Sequence, residues 1–163
     1  MALTIRKARR SDVDVLLQLS KELADHHKAL TRLDSRLRPH LRQRKDAARV
    51  FAVRLRKCIR ARNAALLVAE VDSRLVGYCL IYLKQNPSDP KADKLGFIDH
   101  LIVKKNFQGR RISSALTREA FAWFRGKGIR HLSLFVMENN RIPQAIYRKW
   151  GFFPFVIEMR KSL

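Results

Sequence analysis

Three strand-like runs follow one another between residues 64 and 103, with helical periodicity on either side, and that order restricts the chain to few architectures. Ala64 to Val71 and Leu75 to Leu83 are apolar runs separated by Asp72-Ser73-Arg74, a turn signal, so the pair predicts a hairpin. The Pro-containing stretch Gln85 to Lys94 reads as a loop, and Gly96 to Val103 as the third strand. Upstream, Thr4 to Ala8 is a short strand, and Ser11 reads as the N-cap of a helix with acids in its first turn. That helix carries Val13, Leu16, Leu17, Leu19, Leu23 and Ala24 at helical spacing and fades near Leu30. A second helix, Lys45 to Arg60, has Ala48, Phe51, Leu55 and Cys58/Ile59 on one face. Downstream come an amphipathic helix from Gly109 to Lys127, ended by Gly126 and Gly128, and a strand from His131 to Val136. A short helix from Pro143 to Trp150, opened by its proline, leads to a last strand, Phe152 to Met159. The order is β-α-α-β-β-β-α-β-α-β. Three successive strands flanked by helices predict a mixed central sheet of the α/β (α+β) class, not a purely parallel one.

At 163 residues the chain has the size of one ordinary domain, 1–163, with no internal repeat or low-complexity segment. No apolar run approaches the roughly 18 residues of a membrane span, and the opening Met1-Ala2-Leu3-Thr4-Ile5-Arg6-Lys7 turns charged too soon for a secretory leader. Cys58 and Cys79 lie far apart in no CxxC spacing and read as reduced thiols, so a cytoplasmic protein is expected. The charge is unusual: 35 Lys and Arg against 14 acids give a formal +21. Such a balance implies a polyanionic ligand, nucleic-acid contact or simply a basic protein, and charge alone does not separate these.

Two segments carry chemistry. In the first, a strand delivers the chain into Gln108-Gly109-Arg110-Arg111-Ile112-Ser113 at a helix N-terminus. The first amides of a helix lack intrahelical acceptors and its dipole adds partial positive charge, so this reads either as an anion site to which Arg110 and Arg111 add full charges or simply as a helix that starts with polar residues. The second runs from Asn140 through Tyr147 to Gly151-Phe152, and here Ile146 and Trp150 share a face at i, i+4. Taken alone, Tyr147 reads as a partly buried aromatic. Neither metal-ligand spacing nor a nucleophile triad is evident: His26 and His27 are adjacent, while His40, His100 and His131 are isolated. No metal is therefore expected. Met137 and Met159 read as packing residues.

Together, the two segments resemble the GNAT (GCN5-related N-acetyltransferase) superfamily. Its pyrophosphate loop, Gln/Arg-x-x-Gly-x-Gly/Ala, commonly follows an aromatic; here Phe107-Gln108 and then Ile112-Ser113-Ser114-Ala115-Leu116 fit it. Its later Asn-x-x-Ala-x-x-x-Tyr-x-x-x-Gly-Phe is matched at Asn140, Tyr147, Gly151 and Phe152, and Ile98-Asp99-His100-Leu101-Ile102-Val103 is similar to its acidic strand. The chain departs from the pattern at Arg111, where the family typically has glycine, at Ser113 and at Pro143. A Cβ at position 111 could crowd a pyrophosphate, or the arginine could pair with it.

The resemblance implies acetyl-CoA as co-substrate and direct attack of a primary amine on the thioester. It also implies the residue roles. Asp99 is the candidate general base, the alternative being an ion pair with a neighbouring Arg. His100, adjacent in a strand, would point to the opposite face unless a bulge re-aims it. Backbone amides of Leu101, Ile102 and Val103 would receive the pantetheine, and Gln108, Gly109, Arg110, Arg111, Ile112 and Ser113 the pyrophosphate. Asn140 would contact the cofactor, Tyr147 would act as general acid, and Glu138 is either a substrate contact or an exposed loop acid. A homodimer is plausible on the same grounds.

From Arg32 to Arg62 there are twelve Lys/Arg and two acids, Asp34 and Asp46. The family uses this region for the acceptor, so the charge favours acidic or amphoteric acceptors over polyamines. Arg49, Arg56 and Arg60 read equally as a solvated face. The rival class is a catalytically weak GNAT-fold module that holds RNA or another polyanion through residues 32–62. Phe51 is the only aromatic in that stretch and lies on its apolar face, so the enzyme reading is preferred.

Overall fold

The computed structural model describes residues 2–40, 44–86 and 94–162. The elements are β1 (Leu3–Lys7), α1 (Val13–Leu33), α2 (Ala47–Arg60), β2 (Ala64–Val71), β3 (Arg74–Lys84), β4 (Leu95–Val103), α3 (Ile112–Gly126), β5 (Leu132–Leu134) and α4 (Arg141–Lys149). Short 3₁₀ turns at Arg10–Asp12, Ser35–His40 and Lys105–Phe107 link them. The five strands form one mixed sheet in the order β1-β2-β3-β4-β5, antiparallel except for the parallel β4–β5 pair. Among the described residues, no helix is long and apolar enough to cross a membrane.

Alternation along the strands builds two cores, one on each face. Leu66, Val68, Tyr78 and Leu80 pack with Val13, Leu16, Leu19, Ala52 and Leu55 beneath α1 and α2. Leu67, Ala69, Cys79, Ile81 and Ile98 pack with Ile112, Leu116, Ala120 and Phe124 beneath α3. The β2–β3 hairpin closes through Asp72 and Ser73, both with positive φ (48° and 64°), the two-residue turn whose twist suits a hairpin.

Four expectations need correction. Ser11 is not an N-cap: it lies inside the 3₁₀ turn, and the Asp12 carboxylate accepts the Arg9 backbone N–H at 2.6 Å instead. The third long helix begins at Ile112 rather than Gly109, because Gly109 (φ 77°) and Arg111 (φ 59°) are left-handed. The strand at His131–Val136 shortens to β5. The last strand, Phe152 to Met159, does not form among the described residues. Beyond Phe152 its apolar side chains stay in solvent, Phe155 at 74% and Ile157 at 83% exposure, and among the described residues no strand pairs with the segment. Of the predicted loop Gln85–Lys94, residues 87–93 lie outside the described residues.

Candidate active site

The site grows from a local irregularity in β4. Its register with β3 runs Cys79↔Leu101, Leu80↔His100 and then Ile81↔Ile98, so Asp99 is the extra residue of a β-bulge. Ile98 and Leu101, three apart, consequently both pack toward α3. Asp99 and His100 both turn toward α2 instead, so the strict alternation that separates adjacent residues does not hold here. The bulge is also where β4 leaves β5. The parallel pairing covers Gly96↔Leu132, Phe97↔Ser133 and Ile98↔Leu134 and stops there. Beyond it, residues 100–103 pair with β3, and among the described residues no strand pairs with their other edge.

At the end of β4 the chain turns sharply. Gln108 Nε2 donates to the Val103 carbonyl at 3.0 Å, which ties the loop to the strand. Gly109 and Arg111 then take left-handed backbone on either side of Arg110, whose guanidinium lies 5.2 Å from the Phe107 ring. The first intrahelical bond of α3 is Ala115 N–H to the Arg111 carbonyl at 3.0 Å. The amides of Ile112, Ser113 and Ser114 therefore lack intrahelical acceptors, and residues 108–111 are exposed around them. Arg111 is the position where glycine is typical of the superfamily, and its left-handed φ gives the physical reason for that preference.

On the α2 side, Asp99 Oδ2 accepts from Arg54 NH2 at 2.6 Å. His100 Nε2 lies 3.8 Å from the same oxygen, and its Nδ1 is 2.7 Å from the Tyr78 hydroxyl. Phe51 stacks on the His100 ring at 5.0 Å. Burial lowers the His100 pKa against an opposing pull from Asp99, and burial likewise raises that of Tyr78. Both neutral forms are thereby favoured.

Tyr147 is half-buried on α4 between Trp150 and Phe152, with ring centroids 5.8 and 6.2 Å away. Burial pushes its hydroxyl up to about 12, so it keeps its proton at neutral pH. No residue of α4 is fully buried, Ile146 and Trp150 included. Asn140 stands at the N-cap position of α4 and is buried, its Oδ1 3.4 Å from His26 Nε2. It thus faces α1, and Glu138 lends its carbonyl, not its carboxylate, to Gln144. Among the described residues no group of three or more His, Cys, Asp or Glu could hold a metal ion.

The structure therefore joins Asp99 to its Arg neighbour, as the ion-pair alternative required, and brings His100 onto the same face. Sequence reasoning missed Tyr78 and did not single out Arg54. Tyr78 sits in an unbroken apolar run and reads as core. Arg54 was one cation among many, and only its spacing of three from Phe51 put it near the inward face of α2.

A mixed sheet whose fourth and fifth strands part beside the N-terminus of a helix is the arrangement that the resemblance to N-acyltransferases implies. The model of the Acetyltransferase (GNAT) family matches residues 27–152, and the chain belongs to that family. A Bacillus subtilis (strain 168) protein, provisionally named a ribosomal protein bS18-alanine N-acetyltransferase, is 31% identical over 91 residues. That match covers 56% of this chain and about half, 55%, of the relative. Among solved structures, a tetramutant of the BH1408 protein from Bacillus halodurans has a TM-score of 0.80 at 20% identity, covering 98% of this chain and 99% of that one. The aminoglycoside N-acetyltransferase AAC(6')-Iy in complex with CoA has a TM-score of 0.75 at 19% identity, covering 99% and 96%. At these identities the likeness is one of fold.

Proposed function

We propose that the chain transfers an acetyl group from acetyl-CoA to a primary amine on an acidic or amphoteric acceptor. The observation that carries this is the coincidence, at Asp99, of the bulge and the parting of β4 from β5, one turn of chain away from the amides that open α3. The residues fit the co-substrate: the amides of Ile112 and Ser113 that open α3, with Arg110 and Arg111 beside them, suit a pyrophosphate, and Leu101, Ile102 and Val103 stand on the edge of β4 beyond its pairing with β5, where an amide-rich pantetheine arm would lie. When bound, acetyl-CoA supplies the acetyl group as an activated thioester. The amide edge of β4 orients its carbonyl and holds developing charge. Asp99 accepts the amine proton, directly or through water, and Tyr147 donates one to the leaving sulfur. Asn140 supports the cofactor from the start of α4.

The acceptor enters from the α1/α2 side, where Arg54 stands beside Asp99. The two amine classes named among the relatives are an alanine of a ribosomal protein and an aminoglycoside. A chain of net charge +21 repels the polycationic aminoglycoside and favours an amine in an acidic or neutral context. The RNA-binding alternative loses ground, because Phe51 is turned inward onto His100 and Arg49, Arg56 and Arg60 form an exposed face without a stacking group. The free thiols of Cys58 and Cys79 are consistent with a cytoplasmic enzyme.

A thermal-shift titration with acetyl-CoA, CoA and RNA at two salt concentrations tests the reading, followed by turnover assays on peptides beginning with alanine and on an aminoglycoside. Acetyl-CoA is expected to raise the melting temperature in proportion to the logarithm of its excess over Kd. A shift with RNA alone would favour the binding module.

A further inference from the structure

We propose that the buried Tyr78 hydroxyl forms a relay with His100 that fixes the imidazole as its Nε2–H tautomer, making His100 the positioning residue for Asp99. The inference rests on the transferase reading and deepens it. Both ends of the imidazole favour the same tautomer. At Nε2, the neighbour is a carboxylate oxygen 3.8 Å away; an N–H pointing there is attracted, whereas a lone pair would be repelled. At Nδ1, the neighbour is the Tyr78 hydroxyl at 2.7 Å, and Tyr78 is wholly buried. A phenol that donates to Nδ1 uses its proton there, whereas the opposite tautomer would make the phenol the acceptor and orphan its proton inside the core.

The elements packed on the ring bury it and so favour its neutral form, against an opposing pull from Asp99. Tyr78 of β3, Phe51 and Arg54 of α2, His27 of α1 and Asp99 of β4 itself face it. Arg54 opposes a second positive charge, and so does His27 whenever it is protonated. The arrangement divides the Asp99 carboxylate. Arg54 and His100 both address Oδ2, so Oδ1 is the oxygen that meets the acceptor. In the step this prepares, an N–H bond of the acceptor ammonium breaks and an O–H bond forms at Oδ1. The product is the free amine, with its electron pair available, and a neutral Asp99 still held at Oδ2. The bulge is indispensable to this geometry, because without the extra residue Asp99 and His100 would face opposite sides of the sheet.

The test uses the full chain labelled with ¹⁵N-histidine and reads its imidazole ¹⁵N–¹H correlations at neutral pH, alongside steady-state kinetics with whichever amine turns over. The wild type is expected to show His100 neutral and protonated at Nε2, and Tyr78→Phe to show both tautomers. Tyr78→Phe and His100→Ala should each lower kcat ~10-fold, the scale for an outer partner that orients a reacting group. The KM for acetyl-CoA should stay unchanged, and the double variant should lose no more than either alone. His100→Gln, which keeps an N–H donor, should recover most of the loss. A wild-type imidazole protonated at Nδ1, or charged, overturns the inference, as does full kcat in Tyr78→Phe. Absence of turnover with every amine sinks the transferase reading and the catalytic half of the inference together. An intact Nε2–H signal in that case separates a folded relay from a misassigned one.

Discussion

Arg111 shows how one side chain can serve a site while straining its backbone. Its φ of 59° is a left-handed conformation that L-residues enter at a cost of about 1 kcal/mol or more, yet it stands where the loop opens onto free amides. Arg111→Gly should therefore stabilise the protein by about 1 kcal/mol in denaturant melts while weakening acetyl-CoA binding. Arg111→Ala should weaken binding by about 1–3 kcal/mol, more at low salt than at high, without the gain in stability. Tighter binding by the alanine variant would mean that the side chain obstructs the loop. Tyr147 poses a different question, since a half-buried aromatic also packs. Tyr147→Phe keeps the rings against Trp150 and Phe152 and removes only the hydroxyl. It should slow transfer by ~10²-fold or more with acetyl-CoA affinity intact, measured by single-turnover and equilibrium binding. Undiminished transfer would leave Tyr147 as a packing residue.

At the scale of elements, β4 and the C-terminal segment are where local pattern and final structure diverge. The run from Phe152 to Met159 has the apolar content of a strand, and β5 is a three-residue strand hydrogen-bonded on one side only, to β4. Each copy thus offers both an open edge and an apolar segment suited to pair with one, a self-complementary arrangement through which two copies would associate. Phe155 and Ile157 share a face at period two and are largely exposed. Placing Asp at both should shift a micromolar dimer to monomer, weakening association by roughly three orders of magnitude at about 1.5–3 kcal/mol per buried apolar side chain. Light scattering on both proteins, with circular dichroism to confirm an unchanged fold, decides it. A wild type that stays monomeric at high concentration removes this pairing. The same divergence explains the site. Helices and hairpin were legible because periodicity and turn residues are local, and the anion-ready loop because Gln108, Gly109 and the arginines are contiguous. The bulge was not, because nothing in Ile98-Asp99-His100-Leu101 marks which residue β3 will leave unpaired.

Across the whole molecule, buried imidazoles set how stability depends on pH. His27 and His100 are both held below the usual 6.5, chiefly by burial. As pH falls from neutral the unfolded chain takes up these protons first, so the stability tied to neutral imidazoles is complete above pH 6.5 and is lost as pH drops through the folded values. The carboxylates of Asp12 and Glu70, lowered by hydrogen bonds from Arg6, add a second loss only below their usual 3.8 and 4.5. Thermal melts should show a plateau at neutral pH and a decline beginning near pH 6.5, and His27→Gln should flatten that decline. A melting temperature constant down to pH 5, roughly where carboxylate effects begin, would show that the imidazoles contribute nothing. The sequence by itself determined the mixed sheet, the helices that cover it, the glycine- and arginine-containing approach to α3 and the motifs that mark the family. Each of these is encoded in neighbouring residues whose backbone preferences and spacing act locally. Tertiary structure alone decided that Asp99 and His100 share a face, that Arg54 and Tyr78 reach them, and that the C-terminal segment stays unpaired. Those outcomes depend on the register between strands and on the edges available to pair, which are settled by contacts between residues far apart in the chain.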